Sequence, residues 1–325
     1  MTPTPARTPT RTPLSPLLIA AFAAVYLIWG STYLAIRLAI ETIPPLAMAG
    51  IRFTIAGAIL FPIAYWSGDR RADPVTPMHW RSALIVGTLL LTGSNGVITF
   101  AEQHVASGVV ALLVATTPMW MAAFAHLRGV QRIRRLGAAG LIVGLVGVGL
   151  MLRPGSVGTV SPLWIAFTLL SPLCWAAGSI YARGAPMPRR PLLVTAMQLL
   201  CGGAVLCVLA GATGEWGQVH LSTITLTSLA SLAYLVAAGS LVGYTAYMYV
   251  LRKVSPQAAS SYAYVNPLVA VLLGWAFLDE GVGLTVAVAG ALIVVAVAVL
   301  LAGGRRRQPS PAKVACPTGG EPETA

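Results

Sequence analysis

The sequence predicts an all-α integral membrane protein, with ten transmembrane helices in two inverted five-helix repeats and both termini in the cytoplasm. Three observations carry that reading. Of the 325 residues 57% are hydrophobic and only 9% charged, against about 25% charged in a soluble domain. The basic residues lie almost wholly on one side of the apolar runs. The two halves of the chain also repeat each other at an offset of 146 residues.

Apolar runs of about 17–25 residues each suffice to span a bilayer as a helix. They fall at 17–39, 45–66, 82–100, 105–125 and 136–152 in the first repeat (17–152), and at 161–182, 191–212, 226–250, 255–278 and 282–302 in the second (161–302). Residues 1–16, rich in Pro, Thr and Arg, read as a disordered cytoplasmic tail, and 303–325 as a second, basic one. The apolar run behind the first tail is too long for a signal-peptide core. Short turns join helices four and five, and nine and ten, which predicts that each pair packs as antiparallel neighbours.

The net charge of +12 does not point to nucleic acid, because the basic residues form short clusters between apolar runs. With the N-terminus cytoplasmic, 18 of the 21 Lys and Arg fall inside and only Arg153 outside. Arg37 and Arg52 lie within spans. The four cysteines and four histidines are dispersed, with neither metal-ligand spacing nor a disulfide framework. No metal or cofactor is expected.

The repeat pairs Trp29 with Trp175, Arg37 with Arg183, Gly57 with Gly203 and Gly93–Ser94 with Gly239–Ser240. Three extra residues then move the offset to 149, which pairs Val105 with Val254 and Pro118 with Pro267. Five helices is an odd number, so the halves enter the membrane in opposite senses, an arrangement of secondary transporters. Pro118 and Pro267 each break a helix, since proline donates no N–H and disturbs the preceding turn. In lipid such a defect persists only where protein or a water-lined cavity receives the freed carbonyl. One broken helix in each half points to a binding site between the halves.

These residues resemble a known family. The run Tyr26-Leu-Ile-Trp-Gly-Ser-Thr-Tyr-Leu-Ala-Ile-Arg37, the Arg52–Phe53 pair, the Ala106–Ser107 segment leading to Pro118 with its echo Ser260–Ser261 leading to Pro267, and the Asp279–Glu280 turn are similar to the EamA branch of the drug/metabolite transporter superfamily. The resemblance implies ten helices in inverted repeats and export of amino acids, other metabolites or drugs from a bacterial inner membrane. The chain departs from the pattern at Val130–Gln131, where the first repeat lacks the acid that Glu280 supplies in the second.

Arg52 is the sharpest candidate for substrate binding. It lies about 10 Å along its helix, where a charge costs at least about 2.5–3.5 kcal/mol. It is either a forked clamp for a carboxylate or phosphate, or a structural arginine bonded to carbonyls freed by Pro118 or Pro267, or to Glu102 or Glu41. Its repeat partner is the neutral Gln198. Arg37, near a helix end, reads as snorkelling to the surface. Trp29 and Trp175, with Thr32, Tyr33 and Ser179 close behind, form either an aromatic cavity wall or an interface between repeats. Ser94 and Asn95, Tyr244, Tyr262, Tyr264 and Asn266 are polar groups at similar depth and complete the expected lining. The glycines from Gly140 to Gly149 on helix five read as a packing face, a scaffold or a homodimer contact.

Carboxylates are scarce and fall at helix ends or in loops and tails, where each reads as a solvated charge. Glu102, with His104 beside it, is the acid to test first for proton coupling, with exchange or facilitated diffusion as alternatives. No catalytic constellation is present. The function expected is a secondary transporter that exports small organic solutes by alternating access. A lipid or lipid-linked carrier translocase is the runner-up, ahead of an intramembrane enzyme.

Overall fold

The computed structural model describes residues 15–67, 73–129, 135–151, 160–254, 259–281 and 283–304. All regular structure among them is helical. Eight helical segments are long and apolar enough to cross a membrane: α1 (Pro16–Ala39), α2 (Pro45–Trp66), α3 (Pro77–Ala101), α4 (Ser107–Leu127), α6 (Pro162–Gly184), α7 (Pro191–Ala212), α8 (Leu226–Lys253) and α9 (Ser260–Leu278). The fifth and tenth helices, α5 (Arg135–Met151) and α10 (Leu284–Gly304), hold shorter described apolar stretches, Gly137–Met151 and Leu284–Ala296. Residues 1–14 and 305–325 of the two expected tails lie outside the described residues, while Ser15–Pro16 and Gly303–Gly304 belong to the ends of α1 and α10.

Helix starts follow local chemistry. Proline opens α1, α2, α3, α6 and α7, at the one position where its missing N–H costs nothing. Ser15, Thr76, Ser161 and Thr225 cap with their hydroxyls. The reciprocal Thr76–His79 box carries α3 back to Pro77, five residues before the apolar run begins.

Contacts at the two ends of the bundle fix the helix directions. At the end where α1 begins, Arg190 bonds the Ala64 and Tyr65 carbonyls and pairs with Asp73 at 3.2 Å. Arg183 at the end of α6 donates to the Val254 carbonyl after α8. At the opposite, distal end Ser228 donates to the Leu38 carbonyl at 2.8 Å, and Glu215 accepts from Leu46 N and Ala47 N at the start of α2. Hence α1 runs toward the distal end and α6 away from it, while α2 and α7 are reversed in the same way. The halves are inverted.

Packing respects the exchange of halves. Helix α1 packs on α8 and α9 as α6 packs on α3 and α4, while α2 pairs with its own counterpart α7. The short turns mislead about α5 and α10, which pack chiefly on each other rather than on the helices they follow. Gly144 and Gly147 permit this, facing Ala296, Ile293 and the Ala289 carbonyl, with Met119 of α4 also against Gly144. That part of the glycine face is therefore closed by a helix of the same chain, whereas Gly149 has open space.

Candidate functional site

Wide helical turns shape the space between the halves. Thr88–Gly96 of α3 and Leu235–Tyr244 of α8 are π-helical at equivalent places, a form that recurs at functional sites. In α3 the Asn95 amide donates to the Leu90 carbonyl five residues back, at 3.0 Å. Side chains bond backbone carbonyls beside both breaks. In α4, Thr116 and Thr117 donate to the Leu113 and Val114 carbonyls at 2.7 and 2.6 Å; Val114 is the residue whose carbonyl Pro118 leaves without its helical N–H. In α9 the chain passes from a tight turn, Ser260–Tyr264, into helix at Asn266. With its amide assigned from the hydrogen-bond network, Asn266 donates to the Tyr262 and Tyr26 carbonyls at 3.3 and 3.1 Å.

A narrow cavity of about 50 Å³ lies among these elements. From α1 it is lined by Trp29, Thr32 and Tyr33, from α2 by Arg52, and from α3 by Ser94 and Asn95. Trp175, Tyr244, Tyr262 and Asn266 complete its polar and aromatic wall. Ile36, Phe53, Leu91, Ile98 and Val114, which sequence reasoning missed because nothing distinguishes them from lipid-facing residues, supply the apolar wall. Such a volume holds one or two waters, well below the few hundred Å³ that a drug-sized solute needs.

Two expected residues sit behind the wall. Ser179 pairs with the Tyr247 hydroxyl at 2.9 Å, and Gln198 accepts from the Tyr244 hydroxyl at 2.7 Å, its own Nε2 unpartnered among the described residues. Gln198 thus backs the lining Tyr244, while Ser179 backs Tyr247, which is outside the lining. The Tyr264 side chain lies outside the described residues.

Arg52 is 3% exposed and its Nε donates to Ser240 Oγ at 2.9 Å. Its guanidinium lies over Phe53 and beside Gly239, whose missing side chain leaves room for it. Neither Glu102 nor Glu41 is within ion-pair distance. Gln198, its repeat partner, does not reproduce the contact: Ser94, the counterpart of Ser240, bonds Ser171 instead.

Below the cavity, toward the end where α1 begins, the rings form a plug. Trp29 and Trp175 meet edge to face at 5.3 Å, and Tyr247 lies 5.1 and 5.0 Å from them. Trp175 Nε1 donates to the Tyr247 hydroxyl at 3.1 Å and Trp29 Nε1 to the Gly239 carbonyl at 3.3 Å. The indoles thus serve at once as cavity wall and as interface between repeats.

The distal end differs most from expectation. Glu102 is not a solvated charge: it is wholly buried, and neither carboxyl oxygen has a hydrogen-bond partner among the described residues. It caps α3 one residue past the span, at the end of the helix that packs on α2 and α6. Burial pushes its carboxyl well above the ordinary carboxylate range, and Glu280 pushes the same way against Arg37 and Arg52. Arg37 does not run to the surface; it donates to the backbone carbonyl of Glu102. Glu280 caps α4, accepting from Ser107 N, Ser107 Oγ and Gly108 N at 2.9, 2.8 and 3.2 Å. Asp279 makes that reach possible by adopting φ 52°, and Gly274 leaves space for the carboxylate.

Comparison with known proteins supplies the lineage. The profile of the EamA-like transporter family matches residues 16–153 and again 162–302. The chain belongs to the EamA-like transporter family. Among its relatives, the "Uncharacterized inner membrane transporter YedA" of Escherichia coli K12 is 39% identical over 259 residues, 79% of this chain and 81% of that one. The "Protein PecM" of Dickeya dadantii is 28% identical over 78% of this chain and 82% of its own length. The "Uncharacterized transporter YoaV" of Bacillus subtilis is 25% identical over 83% and 91%. A crystal structure 18% identical in sequence superposes over 90% of this chain and all of its own, with a TM-score of 0.62, which speaks to fold alone. With eight apolar spans and an inner-membrane relative, this EamA-like protein is a multi-pass transporter of the inner membrane.

Proposed function

We propose that this EamA-like protein exports small organic solutes with an anionic end, such as amino acids, other metabolites or drugs, by alternating access around the Arg52 cavity. All ten helices cross the membrane in this reading, with α5 and α10 among them, and both termini are cytoplasmic. The observation that carries it is a buried guanidinium with no carboxylate within ion-pair distance among the described residues, facing an aromatic cavity between inverted halves. Such a cation in a membrane interior is costly, and a solute carboxylate would offset it with a forked pair. The small cavity volume fits a closed state that widens when one half rocks against the other.

The test is mass-spectrometric profiling of the medium from cells that express the wild type, Arg52→Gln or neither. Solutes that accumulate outside only with the wild type name the substrate class. Identical profiles with folded, inserted protein would overturn export of cellular metabolites.

A second reading, translocation of a lipid or lipid-linked carrier, draws on one further feature. A groove between α1, α8 and α9, lined by Leu34, Leu38, Leu273 and Phe277, holds a polar centre where Ser31 and Tyr234 meet at 2.6 Å. Scrambling of labelled lipid in vesicles that contain the protein would favour it.

A further inference from the structure

Glu102 has no role in the function proposed above, yet it is the most anomalous polar group described. A carboxylate removed from water needs a counter-ion or hydrogen bonds, and Glu102 has neither in direct contact among the described residues: its exposure is 0% and both oxygens lack hydrogen-bond partners there. Arg37 reaches the same residue but spends its contact on the backbone carbonyl. By contrast Glu215 and Glu280, the other distal acids with described contacts, accept two and three hydrogen bonds.

The groups that face Glu102 come from every side. Arg37 and Tyr33 belong to α1, Arg52 to α2 and Glu280 to the turn after α9. On its own loop His104 is stacked on Trp164 of α6, with ring centroids 3.8 Å apart. The cavity is one turn away: Ile98, four residues earlier on α3, lines it, as do Tyr33 and Arg52.

We propose that Glu102 is a proton-binding site linked to an anion site at Arg52, so that an anion in the cavity and a proton on Glu102 favour each other. The charges require that sign. With Glu102 ionised, its negative charge partly balances Arg52 and repels a second anion; with Glu102 neutral, Arg52 is left to the solute. By reciprocity, an anion at Arg52 strengthens the proton's hold on Glu102. The proton site stands on the burial of Glu102 alone, while the linkage rests on the anion-clamp reading. An anion released together with its proton leaves as a neutral pair, so its efflux follows the solute and proton gradients and is independent of the membrane potential.

The experiment uses the full chain in lipid nanodiscs, with infrared titration across about pH 5 to 9. The wild type is expected to show a protonated-carboxyl band at neutral pH, lost in Glu102→Gln and kept in Glu280→Gln. Absence of the band from the wild type, or its survival in Glu102→Gln, overturns the proton site. Calorimetry with benzoate, and with neutral benzamide as control, then reads the linkage. Benzoate affinity in the wild type should fall up to about tenfold per pH unit as the band disappears, the limit for one linked proton. In Glu102→Gln it should stay at the low-pH level throughout. The same pH profile in both proteins overturns the linkage while leaving the clamp. Failure of benzoate to bind the wild type at any pH overturns the clamp and the linkage together, and the infrared result still decides the proton site. Should Glu102→Gln not fold, Glu102→Asp, which keeps the acid and must move the titration window, takes its place.

Discussion

Gly57 and Gly203 occupy equivalent places in the two repeats, and each lies against the backbone of the other's helix. A Cβ on Gly57 would come within 2.8 Å of Leu200 N, and one on Gly203 within 2.6 Å of Thr54 N. Thr54 and Leu200 are themselves equivalent at the 146-residue offset. The α2–α7 crossing is thus self-complementary across the axis that relates the halves.

Gly203→Ala should therefore destabilise the protein by about 1–3 kcal/mol, the usual range for overpacking against unyielding neighbours. Gly149→Ala, which meets nothing within 4 Å, should be neutral or slightly stabilising. Thermal unfolding midpoints in detergent compare the two.

Arg52→Gln should reach the membrane in normal amounts and lose at least about tenfold in transport, since a neutral amide cannot replace a forked cation. Initial efflux rates, normalised to surface-inserted protein, are the check. Normal rates would remove Arg52 from the site.

Tyr247→Phe should loosen the aromatic plug. The hydroxyl accepts from Trp175 Nε1 and pairs with Ser179, all three groups being buried. Leaving the indole N–H without an acceptor costs about 1–3 kcal/mol. The melting midpoint should fall, and adding Trp175→Phe should recover part of the loss, because the orphaned donor is then gone.

Glu280→Gln should weaken the distal closure. Its carboxylate accepts three hydrogen bonds at the start of α4, where negative charge also favours the helix dipole. A loss of about 0.5–2 kcal/mol is expected, with faster hydrogen exchange at Ser107 and Gly108 as the local readout.

Asp73 gives a pH test at the other end. Some burial pushes its carboxyl up, but the Arg189 and Arg190 backbone N–H groups and the Arg190 side chain outweigh this and hold it below the ordinary range. Because the folded-state value is depressed, its stabilisation is present above the unfolded value of about 3.9. It is lost as pH falls through the folded value. Asp73→Asn should be less stable than wild type at neutral pH, with the difference closing in acid.

The helices and the repeat were legible because lipid imposes long apolar runs and because sequence identity across the halves survives at Trp29, Gly57, Gly93 and Pro118. The same signals assembled most of the cavity wall, including Arg52, whose charge stands out in an apolar span. Depth along a helix does not report azimuth, so Ser179 and Gln198 were indistinguishable from lining residues. Nor did position reveal the state of Glu102: one residue beyond a span reads as solvated, and only the three-dimensional packing around the end of α3 buries it. The partners of α5 and α10 were hidden for a similar reason, since turn length constrains direction but not which neighbour a glycine face meets.

The mismatch between Arg52 and Gln198 carries a consequence for the cargo. A chamber built from two equivalent halves offers a solute two headings of equal energy, related by half a rotation. Arg52 lines the cavity while Gln198, its counterpart, stands behind Tyr244, so on the proposed reading a solute with one charged end has a single preferred heading. On that reading near-symmetry lets the halves exchange roles during turnover, and this departure from it lets the carrier tell head from tail.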